Sequence, residues 1–170
     1  KTYYKIHYQN FTNQHNKVFK DDMIQDKVFI ANFFFTRCPS ICPPMRMQLI
    51  DIAATFSYED EFIILSHTID PKHDVPSVLK NYSEATGISN DKWQFLYATE
   101  ENTKLLAKQY KTNFKPNEDG TDFYHSSYVA LVDKNMSIRG FYNLLNPKEV
   151  DLLKDILSMN KDTKKTPKIK

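Results

Sequence analysis

Apolar runs alternate with amphipathic stretches along this chain, and the alternation predicts strands followed by helices. The run VFIANFFF (28–35) is apolar almost throughout, which is typical of a strand buried on both faces of a sheet. The next stretch, 43–56, is amphipathic, and its apolar positions recur at helical spacing as Met45, Leu49, Ile52, Ala53 and Phe56. Its polar side is predicted to consist of Arg46, Gln48 and Asp51.

The same order of elements repeats further along the chain. Two more strands are predicted at 61–66 and 93–98, each followed by a helix; the helices are 75–87, ending at Gly87, and 99–110, capped by Thr99. A polar loop at 111–125 then leads into an antiparallel hairpin formed by 127–133 and 137–144. A final helix begins at Asn146-Pro147, and an N-terminal hairpin is predicted at 11–20.

This order of elements predicts an α/β fold. Alternating strands and helices give a mainly parallel sheet with helices on both faces, and the hairpins add antiparallel strands. A pair of cysteines just after a central strand, opening a helix, is typical of the thioredoxin class. We therefore predict one thioredoxin-like domain over 1–160 with a central mixed sheet and an N-terminal β-hairpin. The remaining 161–170 is predicted to be a flexible, lysine-rich tail.

Composition narrows the class of protein further. Hydrophobic residues make up 41% and aromatic residues 14% of the 170 residues, which excludes a disordered chain. The segment 160–170 holds five of the 23 basic and one of the 21 acidic residues, leaving 18 basic and 20 acidic residues elsewhere. A basic nucleic-acid face is therefore not expected. No apolar run reaches the roughly 20 residues of a membrane span, so any membrane attachment is expected to use an anchor outside this sequence.

The chemistry is concentrated in TRCPSICPPM (36–45), which holds both cysteines of the chain. Cys38 follows the strand and Cys42 lies at the start of the helix, where the helix dipole favours a thiolate. Thiolates are nucleophiles and also soft metal ligands. The spacing alone leaves three interpretations open: a disulfide staple, a redox dithiol, or half of a metal site.

A metal site would need further ligands. Two thiolates exclude Cys₄ zinc and ordinary iron–sulfur sites, whereas two thiolates and one imidazole suit copper. Among the histidines, His125 is the best third ligand because it precedes a buried strand whose entry loop faces the dithiol in thioredoxin-type sheets. We expect the surface for His7 and His15, and ordinary or supporting roles for His67 and His73. Met45 is expected to pack in the core, and Met47 follows the cysteines closely in the sequence.

Taken together, these stretches resemble the Sco/SenC copper proteins. NFFFTRCPSICPPM is similar to the T-x-C-P-x-x-C-P signature of that family. Three further stretches occur in the order found in the family: FTNQHNKVF (11–19), TIDPKHDVPSVLKNY (68–82) and YHSSYVALVDKN (124–135). The likeness spans about 8–158, nearly the whole chain.

The resemblance implies a monomeric copper metallochaperone that binds one copper ion, as Cu(I) or Cu(II). The implied ligands are Cys38, Cys42 and His125, with Asp70 and Asp74 as supporting or partner-docking residues. Family members help to load the copper-bearing subunit of cytochrome c oxidase, as copper donor or as thiol reductant, and another copper protein is a second kind of partner. They are usually anchored to a respiratory membrane on its oxidising side, the periplasm in bacteria.

Two positions depart from the family pattern. Phe34 stands where Gly is common, and Tyr124 replaces the frequent Asp before the histidine. A ligating imidazole usually donates its second N–H to a partner, a role open to Asp122 or to a backbone carbonyl.

The alternative function is enzymatic: a metal-independent thiol–disulfide reductase that uses Cys38 and Cys42. Such reductases generally place a cis-proline just before the strand that faces the dithiol. The corresponding YHSSY (124–128) has no proline, and this favours copper.

Overall fold

The computed structural model describes residues 5–39, 42–112, 115–116, 123–124 and 127–165. Within them lie nine strands and four α-helices, together with a 3₁₀ helix at Asp21–Ile24. The strands are β1 (Phe11–Asn13), β2 (Val18–Phe19), β3 (Val28–Phe34), β4 (Phe62–Thr68), β5 (Trp93–Tyr97), β6 (Lys115–Pro116), β7 (Phe123–Tyr124), β8 (Tyr128–Val132) and β9 (Ile138–Asn143). The helices are α1 (Cys42–Thr55), α2 (Pro76–Thr86), α3 (Glu100–Gln109) and α4 (Pro147–Lys165).

Seven strands form one mixed sheet in the order β2-β1-β5-β4-β3-β8-β9. The central strands β3, β4 and β5 are parallel, and the outer pairings are antiparallel. All seven residues of β3 and all seven of β4 are buried, which explains why the sequence shows apolar stretches at 28–31 and 62–65 rather than alternation. The predicted α/β, thioredoxin-like fold with an N-terminal hairpin is confirmed.

Helices cover both faces of this sheet. Two contacts join α1 to its neighbours on one face: Arg46 lies over the ring of Tyr82 in α2, and Lys154 of α4 forms an ion pair with Asp51. On the opposite face, Tyr110 at the end of α3 packs against the N-terminal segment. The parallel order of β3, β4 and β5 explains why α1 and α2 share one face of the sheet. Right-handed crossovers that proceed in one direction place their helices on the same side.

Local signals in the sequence set the ends of several helices. Thr99 caps α3 by accepting a hydrogen bond from the Asn102 backbone N–H at 3.2 Å, and Gly87 ends α2 in a left-handed conformation with φ of 71°. Asn146 caps α4 by accepting from the Lys148 N–H at 3.0 Å. Helix α4 continues to Lys165, five residues into the predicted tail, and the flexibility of that tail stays a prediction.

Candidate metal centre

The two cysteines lie at the carboxyl edge of the central parallel strands. Strand β3 ends at Phe34, the Cys38 N–H donates to the Phe35 carbonyl at 3.2 Å, and Cys42 is the first residue of α1. Each cysteine is only 6% exposed, and both are thiols with no disulfide between them. The chain thus brings two soft sulfur donors to one edge of the sheet, with one at a helix N-terminus where a thiolate is favoured.

The pKa of Tyr82, a residue of α2, is affected by both cysteines. Burial is the main cause that raises the pKa of Tyr82 to about 12; Arg46 opposes the rise, while Cys42 and Cys38 add to it. Both sulfurs therefore act on the same phenol, which stays neutral at physiological pH. Tyr82 was not among the residues predicted for the site, because only the packing of α2 beside α1 brings it to the cysteines.

Asp74 fixes the backbone that leads into Cys38. This carboxylate is fully buried and accepts hydrogen bonds from the Thr36 backbone N–H at 2.9 Å, from the Thr36 hydroxyl, and from the Thr68 hydroxyl at 2.7 Å. Charged hydrogen bonds of this kind are stronger than neutral ones. Asp74 therefore ties the loop after β3 to the end of β4, two residues before the first thiol.

Asp70 holds the residue that directly precedes Cys38. Arg37 Nη2 donates to Asp70 Oδ2 at 2.9 Å, and Asp70 is 4% exposed while Arg37 is half exposed. His73 Nδ1 lies 3.0 Å from Asp70 Oδ1 and 2.8 Å from Arg37 Nη2, so it hydrogen-bonds with only one of them at a time. The two aspartates predicted to support the site thus both hold the loop of Cys38, and their effect on a metal stays a prediction.

The substitution Asp74→Asn tests this role of the loop. The amide would present an N–H to the Thr36 or Thr68 donors, and the loss of these bonds is expected to lower the free energy of unfolding by about 2 kcal/mol. Urea unfolding of the metal-free protein measures the change. The control is Asp91→Asn, because Asp91 is exposed and its substitution should change stability by less than about 0.5 kcal/mol. Equal effects of the two substitutions would show that Asp74 does not hold the loop.

The predicted third ligand, His125, lies outside the described residues, and so does Asp122. Among the residues that are described, no group of three or more His, Cys, Asp or Glu side chains is placed to hold a metal ion. Strand β8 begins at Tyr128 and runs antiparallel to β3, so its first residue lies at the edge of the sheet where β3 ends. The assignment of His125 stays a prediction, as does the consequence of Tyr124 beside it.

Of the other described histidines, His73 contacts Asp70 and Arg37 beside the Cys38 loop, whereas His7 and His15 lie on the surface and His67 lies in the core. His7 and His15 are exposed, as expected for surface residues. His67 is fully buried: its Nδ1–H donates to the Asn32 carbonyl at 2.8 Å, and its Nε2 accepts from the Tyr8 hydroxyl at 2.8 Å. His67 therefore has a structural role in the described fold. Met45 is buried as predicted, whereas Met47 is 70% exposed.

Arg46 corrects a detail of the helix pattern. It was predicted on the polar side of α1, yet its guanidinium lies 4.5 Å from the centre of the Tyr82 ring and its Nε is closed off from solvent. The reason is tertiary: α2 packs beside α1, and an aromatic face attracts a cation. The sequence does indicate that Arg46 lies near Cys42. The two residues are four positions apart, and i,i+4 positions share one helix face.

Comparisons with known proteins agree with this architecture. The sequence model of the SCO1/SenC family matches residues 3–160. The SCO1 protein homolog of Bacillus subtilis is 30% identical over 159 residues, which cover 91% of this chain and 82% of the relative.

Two solved structures show the same fold. BsSco, described as a member of the Sco family of cytochrome c oxidase assembly proteins with a disulfide switch, is 29% identical with a TM-score of 0.77, over 92% of this chain and 93% of its own. Yeast Sco1 solved with copper bound has a TM-score of 0.71 at 24% identity, over 91% of this chain and 89% of its own. With a family model that covers nearly the whole chain and a relative at 30% identity, this protein belongs to the SCO1/SenC family.

Proposed function

We propose that this protein is a copper metallochaperone that binds one copper ion and assists assembly of the copper centre of cytochrome c oxidase. The observation that carries the proposal is the placement of Cys38 and Cys42 as buried thiols at one sheet edge, where Cys42 lines a cavity with Tyr82. Thiolates select Cu(I), and the donor set therefore fits copper as cargo. Membership of the family that includes BsSco supports the link to oxidase assembly.

The proposed ligands are Cys38, Cys42 and His125. The two thiolates suffice to hold Cu(I), while the imidazole favours retention of Cu(II), for which nitrogen is a better donor. Transfer to a partner would proceed by exchange of these thiolates for thiolates of the copper-bearing subunit. Asp70 and Asp74 would keep the Cys38 loop in one conformation. Residues that do not bind the metal themselves commonly orient its ligands in this way, through hydrogen bonds.

The cellular setting is part of the proposal. We place the protein as a monomer on the oxidising side of a respiratory membrane, periplasmic in a bacterium, where its partner presents a copper site. Within the described residues, no helix is long and apolar enough to cross a bilayer. We propose attachment to that membrane through an anchor outside the described residues.

Copper titration of the reduced protein tests the proposal directly. We expect stoichiometric uptake of one Cu(I), and a sulfur-to-Cu(II) charge-transfer band when Cu(II) is added. Absence of both, together with efficient reduction of protein disulfides by the metal-free protein, would instead support the second candidate, a thiol–disulfide reductase. That candidate is favoured by one observation, the pair of reduced thiols at a strand-to-helix junction.

The substitution His125→Ala tests the third ligand. It should lower Cu(II) affinity at least tenfold more than Cu(I) affinity, because Cu(I) keeps both thiolates whereas Cu(II) loses its nitrogen donor. Chelator competition measures the two affinities, and the control His15→Ala removes an exposed histidine of the hairpin without effect on either. An unchanged Cu(II) affinity and absorption spectrum in His125→Ala would show that His125 is not a ligand.

A further inference from the structure

Arg46 lies in the immediate surroundings of Cys42. The two residues are one turn apart on α1, and both line a cavity of about 10 Å³ together with Tyr82. The pKa of Tyr82 responds to both, since Arg46 lowers it and Cys42 raises it. The guanidinium and the thiol therefore flank the same buried ring, and a charge that forms on the sulfur falls within the field of Arg46.

The positive charge of Arg46 has no close carboxylate in the described part of the chain. No ion pair joins Arg46 to a described Asp or Glu, and its Nε is both closed off from solvent and without a hydrogen-bond partner there. Its described contact is the face of Tyr82 at 4.5 Å. Arg37 differs in this respect: it lies next to Cys38, but its charge is compensated by Asp70 at 2.9 Å.

We propose that Arg46 determines which oxidation state of copper the site prefers, by offsetting the negative charge of the two thiolates. This inference rests on the proposed copper function. Two thiolates and Cu(I) carry a net charge of −1, whereas two thiolates, a neutral imidazole and Cu(II) carry none. A fixed cation beside Cys42 therefore stabilises the Cu(I) form more than the Cu(II) form.

The carboxylate of Asp74 does not interfere with a test of this effect. Asp74 also acts on Tyr82, but its carboxylate is engaged by the Thr36 and Thr68 donors. Its negative charge disfavours the Cu(I) form, but it is the same in the wild type and in every Arg46 variant, so it does not enter the change that a substitution of Arg46 produces. Arg46 is a described cation that shares a cavity with Cys42.

The test compares Arg46→Gln with Arg46→Lys. Glutamine keeps part of the aliphatic stem, removes the charge and adds no sulfur donor, and we expect the ratio of Cu(I) to Cu(II) affinity to fall roughly tenfold after allowance for solvent screening. Lysine keeps the charge and should retain most of the ratio. Cu(I) affinity is measured by competition with bathocuproine disulfonate, and Cu(II) affinity by titration of the charge-transfer band.

Arg139→Gln is the matched control, because Arg139 lies on β9, away from the cysteines, and should leave the ratio unchanged. If Arg46→Gln misfolds, as judged by near-ultraviolet circular dichroism, Arg46→Leu replaces it with the same expectation. A wild-type protein that takes up no copper would overturn the proposed function and this inference with it. Copper uptake by the wild type, with the same affinity ratio in the uncharged variant, would overturn the inference alone.

Discussion

Replacing either cysteine by serine is expected to abolish tight copper binding. In Cys38→Ser or Cys42→Ser, a hard hydroxyl takes the place of a soft thiolate, and one thiolate is left for Cu(I). Changes to residues that merely support ligands cost up to roughly 100-fold in metal affinity, so the loss of a ligand should exceed that. Competition with a Cu(I) chelator measures the loss, and the sulfur-to-Cu(II) band should disappear.

Met47→Leu is the control for this experiment. Met47 lies on α1 within five residues of Cys42 and is 70% exposed, so it tests whether any nearby sulfur contributes to binding. We expect wild-type copper affinity in this variant. Because both cysteines are buried, near-ultraviolet circular dichroism must show that the serine variants keep their tertiary structure. Folded serine variants with wild-type stoichiometry and affinity would exclude Cys38 and Cys42 as ligands.

The sequence predicts the framework of the site because the framework depends on local patterns. The almost entirely apolar β3 indicates a strand covered on both faces, and the prolines and apolar spacing after Cys42 indicate a helix. Once β3 and α1 are known, Cys38 and Cys42 must lie at their junction. The roles of Asp70 and Asp74 follow less directly, since their partners Thr36 and Arg37 belong to another strand end.

Other features depend on contacts between distant segments, and these were not predicted. The ring of Tyr82 reaches Arg46 because α2 packs beside α1, and the periodicity of α1 alone puts Arg46 with the polar residues. The polar stretch 111–125 was predicted as a loop, but Lys115–Pro116 and Phe123–Tyr124 form a short antiparallel pair. Two-residue strands leave too little pattern to detect.

The surroundings of His67 also depend on contacts between distant segments, because its ring belongs to a buried series of hydrogen bonds. The Asn32 carbonyl can only accept, so Nδ1 of His67 carries the proton and Nε2 accepts from the Tyr8 hydroxyl. The Tyr8 oxygen in turn lies 2.7 Å from the Tyr110 hydroxyl, which donates to it. When the imidazole is neutral, both of its nitrogens have a hydrogen-bond partner. These hydrogen bonds join the N-terminal segment to β4 and to the end of α3.

Acid is expected to destabilise the protein through this histidine. Burial lowers the pKa of His67 to about 4, against its ordinary 6.5 in an unfolded chain, with the hydrogen bond to Asn32 opposing the shift. Between these two values the unfolded state binds more protons, so stability rises with pH. The contribution is fully present above about pH 6.5 and is lost as the pH falls towards 4; it amounts to about 3 kcal/mol.

Urea unfolding of the metal-free protein at a series of pH values from 7 to 4 measures this loss. Other groups also titrate in this range, and His67→Gln separates them, because glutamine can donate to Asn32 and accept from Tyr8 but does not titrate. We expect the free energy of unfolding to fall by about 3 kcal/mol more in the wild type than in His67→Gln over this range. The variant is expected to be less stable at pH 7, because glutamine fits the hydrogen bonds to Asn32 and Tyr8 less well. The curves of unfolding free energy against pH for the two proteins should therefore converge towards pH 4. Curves that remain parallel would mean that His67 does not control the acid sensitivity of the fold.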